Sequence, residues 1–192
     1  YKTSGEGQIK CHENQPRMDL VFPQRNEEKL VAMAARLGTR ELILCYPLSD
    51  PRLASRAKEV SMFGASVRTR LGVLVATQEE VQRARKYTQD VVAAGSPWVY
   101  DDRRVRFVIN FEAGKREDFT HHRNSGLNQV FIQKAIAHGM TFLVNANLLL
   151  TEQRDVILGR MLQNNRFFRK YRPEVTVVSG ASTPLEMRSE RD

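Results

Sequence analysis

Between Asp19 and Val178 the chain alternates short, wholly apolar runs with longer stretches whose apolar residues recur at helical spacing. Runs such as Leu42-Ile-Leu-Cys45 and Phe107-Val-Ile109 leave no polar face for solvent. Strands of that kind are buried on both sides, which requires helices on both faces of a sheet or an outer helical ring around a barrel.

The punctuation supports about six strand–helix units. Asp19 to Phe22 reads as a strand closed by Pro23, and Asn26 as the cap of a helix carrying Leu30, Val31, Ala34 and Leu37 up to Gly38. Glu41 to Tyr46 is the next strand. Asp50-Pro51 opens a helix to about Phe63. Val67 to Ala76 holds a strand expected to break or bend near Gly72, and Thr77 with Glu80 forms a capping box for a helix to about Val92. Apolar runs follow at Trp98 to Tyr100 and Val105 to Phe111. Ser125 is the expected cap of a helix ended by His138-Gly139, and Met140 to Val144 is a strand. The longest helix spans about Thr151 to Tyr171, before a last strand at Val175 to Val178 and a capping box over Thr183-Pro-Leu-Glu186.

The expectation is one α/β domain over residues 18–192, a (β/α) barrel that is TIM-barrel-like and irregular or incomplete. Periodicity leaves a doubly wound open sheet as the alternative. Residues 1–17 read as a flexible arm. The sequence stops at Asp192, just inside a freshly capped helix, so a barrel short of its last strand–helix unit is expected.

Charge gives the first functional indication. Thirty Lys and Arg oppose 22 Asp and Glu, a net of +8, and 22 of the cations are arginine. No tail holds the excess. Arginine donates bidentately to phosphate, so an arginine-rich folded body suits a nucleic-acid partner. No run is long enough to span a membrane, and two cysteines, Cys11 and Cys45, make no disulfide framework.

Motifs for protein-borne catalysis are weak. His12, His121, His122 and His138 do not sit at metal-ligand spacing, and no GxSxG, GxGxxG or P-loop occurs. Two segments carry more. Ser179-Gly-Ala-Ser182, between a strand and a proline-capped helix, could turn backbone N–H groups toward an anion. On the helix 151–172, Ile157, Leu158, Met161 and Phe168 share an apolar face, with Arg166 and Lys170 opposite and Arg160 and Arg169 at its flanks. That ridge suits a phosphate backbone rather than a base sequence.

Three segments in order then match a known pattern: His122-Arg-Asn-Ser-Gly-Leu-Asn-Gln-Val130, Leu158-Gly-Arg-Met-Leu-Gln-Asn-Asn-Arg-Phe-Phe-Arg-Lys-Tyr171, and Ser179-Gly-Ala-Ser-Thr-Pro-Leu-Glu-Met-Arg-Ser-Glu-Arg-Asp192. With Met18-Asp-Leu-Val-Phe-Pro23, they resemble the thirty-kilodalton protein subunit family of ribonuclease P, archaeal protein component 3. The resemblance implies a barrel related to the polymerase-and-histidinol-phosphatase metal phosphoesterases. It also implies a role beside ribonuclease P RNA in removing the 5′ leader from precursor tRNA. Mg²⁺ is then expected on the RNA and no cofactor on the protein. The implied partners are that RNA, precursor tRNA through the holoenzyme, and a small ferredoxin-like protein subunit, with no membrane. The implied location is cytoplasmic for an archaeal source and nuclear for a eukaryotic one.

By that resemblance Arg123, Arg160, Arg166, Arg169, Lys170, Arg188 and Arg191 are assigned to RNA contact or assembly, with no catalytic and no metal-ligating residue. Gly126, Gly180 and Pro184 are read as architectural. Two rivals stand beside this reading: a metal-dependent phosphoesterase using Asp19, His121 and His122, and a phosphate-sugar enzyme using residues 179–182.

Overall fold

The computed structural model describes residues 18–63, 66–114 and 124–189. Seven strands, β1 (Met18–Val21), β2 (Glu41–Pro47), β3 (Arg68–Val75), β4 (Asp90–Ala94), β5 (Phe107–Ile109), β6 (Thr141–Asn145) and β7 (Glu174–Val178), pair in sequence order. Every pairing is parallel. Five helices lie outside them: α1 (Glu27–Arg36), α2 (Leu53–Glu59), α3 (Gln78–Ala84), α4 (Gln129–Ala137) and α5 (Arg154–Tyr171). The expected (β/α) barrel is therefore the fold, irregular and nearly closed, and the open-sheet alternative does not hold.

Side-chain alternation splits the apolar residues into two layers. Leu20, Ile43, Cys45, Val92, Phe107, Ile109, Leu143 and Val178 fill the barrel. Their neighbours one position along, such as Val21, Leu44, Val73, Val91 and Phe142, pack outward against Leu30, Ala34, Val81, Ile132 and the other helical residues. Gly72 belongs to the inner layer. A Cβ there would meet Ile43 Cγ2 at 2.7 Å. The glycine thus lets β3 approach β2 closely, and the strand runs through it unbroken.

Closure depends on a seam between β1 and the chain just after β7. Val21 bridges Ala181, Gly180 N–H donates to Leu20 O at 3.0 Å, and Phe22 N–H donates to Ala181 O at 2.8 Å. Asp19 reinforces it. Its buried carboxylate accepts from Ser179 N–H and Ser179 Oγ, both at 2.7 Å, and from Leu20 N–H at 2.7 Å. Gly180 takes φ +61°, and a Cβ on it would lie 2.1 Å from Asn145 Oδ1, so no other residue fits without rearrangement. Below this point β7 has no partner on its outer edge among the described residues, and Val177 is 68% exposed.

Several sequence expectations need correction. The helix expected to reach Val92 ends at Ala84, and Asp90–Ala94 is a strand. No glycine or proline marks the change. Backbone N–H groups of Tyr87 and Thr88 both return to Ala84 O, and Thr88 Oγ1 then caps Asp90 N–H at 3.0 Å. The apolar run at Trp98 to Tyr100 is part of a 3-10 turn, Pro97–Asp101, and Tyr100 stacks on Phe131 with ring centroids 4.6 Å apart. Asn128, not Ser125, caps α4, accepting from Phe131 N–H at 2.9 Å. Thr77 makes no capping bond, and Glu80 accepts from Ala76 N–H instead. The capping box at Thr183 and Glu186 is present.

Replacing Asp19 by alanine removes three short hydrogen bonds across or beside the seam. Bonds to a charged acceptor contribute about 1.5–3 kcal/mol each, with losses that overlap at one site, so a destabilisation of about 2–4 kcal/mol is expected. Urea unfolding should show it as a lower midpoint at unchanged slope.

Candidate nucleic-acid interface

In a parallel barrel every helix runs antiparallel to the strands it connects, so all helix C-termini lie at the end where strands begin. Helices favour acids in their first turn and bases in their last, because partial charges of opposite sign sit there. This chain follows the preference: Glu27 and Glu28 open α1, Glu79 and Glu80 open α3, and Asp155 opens α5. Arg36, Arg83, Lys134, Arg169 and Lys170 close α1, α3, α4 and α5. One end of the barrel consequently collects cations.

Loops leading into the strands add to them. Arg40 precedes β2, Arg85 and Lys86 precede β4, Arg103 precedes β5, and all four are exposed. The acids at the same end are largely spent on fixed partners. Asp90 accepts from Arg70 and from Arg106, the latter at 3.1 Å, and Glu41 pairs with Arg70 at 3.1 Å. Asp102 is held below the ordinary aspartate range, chiefly by its hydrogen bond to the Arg104 side chain.

α5 forms the edge of this basic end. Asp155 opens its first turn, and Arg172, left-handed at φ +52°, ends it ahead of Pro173. Arg166, Arg169 and Lys170 are exposed and lie three and four residues apart, on one side of its last turns. Lys170 Nζ sits 5.0 Å from the Tyr171 ring centre. Gln163 and Asn165 lie near this ridge, Asn165 exposed.

The buried face of α5 differs from the expected stripe. Leu158 is 47% exposed, whereas Ile157, Arg160 and Asn164 are buried, flanked by Phe167, Phe168 and Tyr171. Arg160 is only 2% exposed and donates to Glu112 O at 2.8 Å and Gly114 O at 3.0 Å. Asn164 Nδ2 reaches Ser125 O at 3.3 Å. These polar residues tie α5 to the loops that flank residues 115–123, which is why they occupy positions that periodicity reserves for apolar groups.

The seven sequence-derived arginines and lysine therefore divide. Arg166, Arg169 and Lys170 come together on the surface. Arg160 lies inside. Arg188 folds back on its own turn, donating to Leu185 O and Met187 O at 2.9 Å, in the segment that Asn147 anchors through Glu186 at the opposite end. Arg123 and Arg191 fall outside the described residues, as do His121 and His122.

The opposite end, where strands finish, spends its polar groups on itself. Ser179, just past β7, is occupied by Asp19 from the first half of β1, whose pKa burial raises against the pull of those bonds. Of the anion donors expected of residues 179–182, Ser179 N–H goes to Asp19 at 2.7 Å, Gly180 N–H to Leu20 O at 3.0 Å and Ser182 N–H to Glu186 Oε2 at 2.7 Å. The Ser182 bond first of all holds Glu186 below its usual range. Asn145 Nδ2 donates to Asn110 Oδ1 at 2.8 Å. Among the described residues no three His, Cys, Asp or Glu side chains gather as metal ligands do, and Cys45 is buried with its thiol pushed far up by desolvation.

With that geometry in place, the comparisons are informative. A chain in the cryo-EM structure of archaeal Ribonuclease P with mature tRNA aligns with a TM-score of 0.73, covering 90% of this chain and 77% of its own, at 16% sequence identity. The two share a fold. No protein-family model and no curated protein matches the chain.

Sequence reasoning missed the basic end as a whole. Its signal was present: Arg40, Arg68, Arg103 and Arg106 each sit just before or at the start of an apolar run. Arg160→Ala should destabilise the fold by about 2–4 kcal/mol, since it strands buried carbonyls. Arg166→Ala and Lys170→Ala, at the surface, should change stability by no more than about 0.5 kcal/mol. Thermal unfolding of the three variants checks the division.

Proposed function

We propose that this chain is a protein subunit of ribonuclease P, supporting the catalytic RNA as it removes the 5′ leader from precursor tRNA. Its basic end faces RNA phosphates, with Arg166, Arg169 and Lys170 as a ridge along α5, and it docks beside a small ferredoxin-like protein subunit. The observation that carries the reading is the shared fold, over 90% of the chain, with a protein of an archaeal Ribonuclease P particle. The three ordered sequence segments that resemble the same family support it, and so does a cationic end on a barrel with net charge +8.

Ribonuclease P needs Mg²⁺ for hydrolysis of a phosphodiester, and in this reading the ion sits on the RNA. The chain's own residues then have a different task. Cations on a rigid barrel end reduce repulsion between crowded phosphates and release counterions, which favours the compact RNA at lower Mg²⁺. Rigidity matters here because guanidiniums fixed by a sheet and a helix lose little entropy when they meet phosphate.

Precursor-tRNA cleavage at limiting Mg²⁺, with the cognate catalytic RNA and the small partner subunit, should rise when this chain is added. Cleavage by the protein alone would overturn the reading. Arg166→Glu with Lys170→Glu should weaken assembly while leaving unfolding unchanged. Each phosphate contact contributes a slope of about 0.7–0.9 in log affinity against log salt, so the pair should flatten that dependence by about 1.4–1.8.

A further inference from the structure

The floor of the basic end is an open cleft of about 620 Å³, lined in part by Glu41, Arg68, Arg70, Tyr87, Asp90 and Arg106. That size is within the roughly 300–1,000 Å³ of small-ligand sites. Its charges are layered. Asp90 and Glu41 lie deepest, with side chains 5% and 12% exposed, and Arg70 bridges them at 19%. Arg106 and Arg68 lie outermost, at 48% and 78%. An approaching group meets guanidiniums first.

These outer arginines are positioned but only partly used. The backbone of Arg106 is held from both sides, its N–H on Val91 O and its carbonyl accepting from Thr141 N–H, each at 3.0 Å. One of its five N–H donors goes to Asp90. Arg68 is anchored by its backbone N–H to Arg40 O at 2.9 Å, while its side chain makes one long ion pair, 3.6 Å from Glu41. The Arg106 guanidinium also lies 5.2 Å over the Phe107 ring centre, which leaves its outer N–H edge toward the cleft, and the Arg68 guanidinium stands largely in solvent. The aromatic Tyr87, 40% exposed, lines the same cleft. Two under-committed guanidiniums beside an exposed ring match the requirements of a single-stranded nucleotide: a phosphate for the forks and a base for the ring.

We propose that the cleft at the strand-beginning end seats one unpaired nucleotide of an RNA strand, its phosphodiester between Arg68 and Arg106 and its base stacked on Tyr87. The proposal rests on the RNA-supporting reading above and adds to it a discrete seat, independent of the α5 ridge. Arg70, Glu41 and Asp90 are positioning residues: they hold the outer arginines apart and make the cleft's inner wall. A phosphodiester is favoured over an acidic peptide because carboxylates alone would leave the ring unused.

The full chain and its Arg68→Gln and Tyr87→Ala variants, checked for unchanged thermal unfolding, would be titrated against the cognate catalytic RNA and against a short fluorescent oligouridylate. Tyr87→Ala should weaken oligouridylate binding about tenfold, with Tyr87→Phe recovering most of the loss. Arg68→Gln should lower the salt slope for either RNA by about 0.7–0.9, one phosphate's worth. Variants that bind both RNAs as the parent does would overturn the seat and leave the ribonuclease P reading standing. A parent that binds neither RNA would overturn both. Competition by polyglutamate as strong as by oligouridylate, with no effect of Tyr87→Ala, would also overturn the seat, showing a site for polyanions at large.

Discussion

Parallel pairing of all seven strands is the constraint from which the rest of this molecule follows. It obliges the five helices to run in one direction, so a preference that each helix satisfies locally is summed over the barrel. Four separate last turns, those of α1, α3, α4 and α5, place their arginines and lysines at one end, and the loops into the strands add more. The resulting field needs no dedicated tail. It is carried where the strands begin and where Asp90 and Glu41 fix the arginines around them.

The two ends of the barrel are consequently unlike. Enzymes of this architecture work at the end where strands finish. In this chain the polar groups described there act as structural clasps: Asp19 on Ser179, Glu186 on Ser182 and Thr183, Asn145 on Asn110 and Arg160 on Glu112. They bind the seam and the loops after β5 and β7. The end where strands begin keeps guanidiniums on the surface. A barrel that holds RNA would have its charge arranged in this sense, with one end given to closure and the other to contact.

Much of the architecture was legible because strong local signals agreed with it. Apolar runs gave most strands, Gly38 and Gly139 gave helix ends, and Thr183-Pro-Leu-Glu186 gave its capping box. β4 was missed because Val91, Val92, Ala93 and Ala94 continue a helical pattern without a breaker, and only tertiary pairing with β3 makes them a strand. On α5 the helical wheel put Arg166 and Lys170 opposite the apolar face, and both are exposed, as is Arg169. Arg160 was misplaced to the surface, because nothing in a helical wheel shows that Glu112 and Gly114 carbonyls await it inside. The cleft was invisible for a related reason: Arg68, Tyr87 and Arg106 belong to three separate units, and only the parallel pairing of β3, β4 and β5 brings them together.

The claim that contact with RNA occurs at the strand-beginning end is tested most directly by site-specific photocrosslinking in the reconstituted particle. A benzophenone side chain would be placed at the exposed positions Gln89 and Asn165 near that end, and at Gln24 and Gln78 at the other. Crosslinks to the catalytic RNA from Gln89 and Asn165, with little from Gln24 and Gln78, are the predicted result. The reverse pattern would contradict the account, since it would put the RNA against the end whose carboxylates and amides are already spent on closing the barrel.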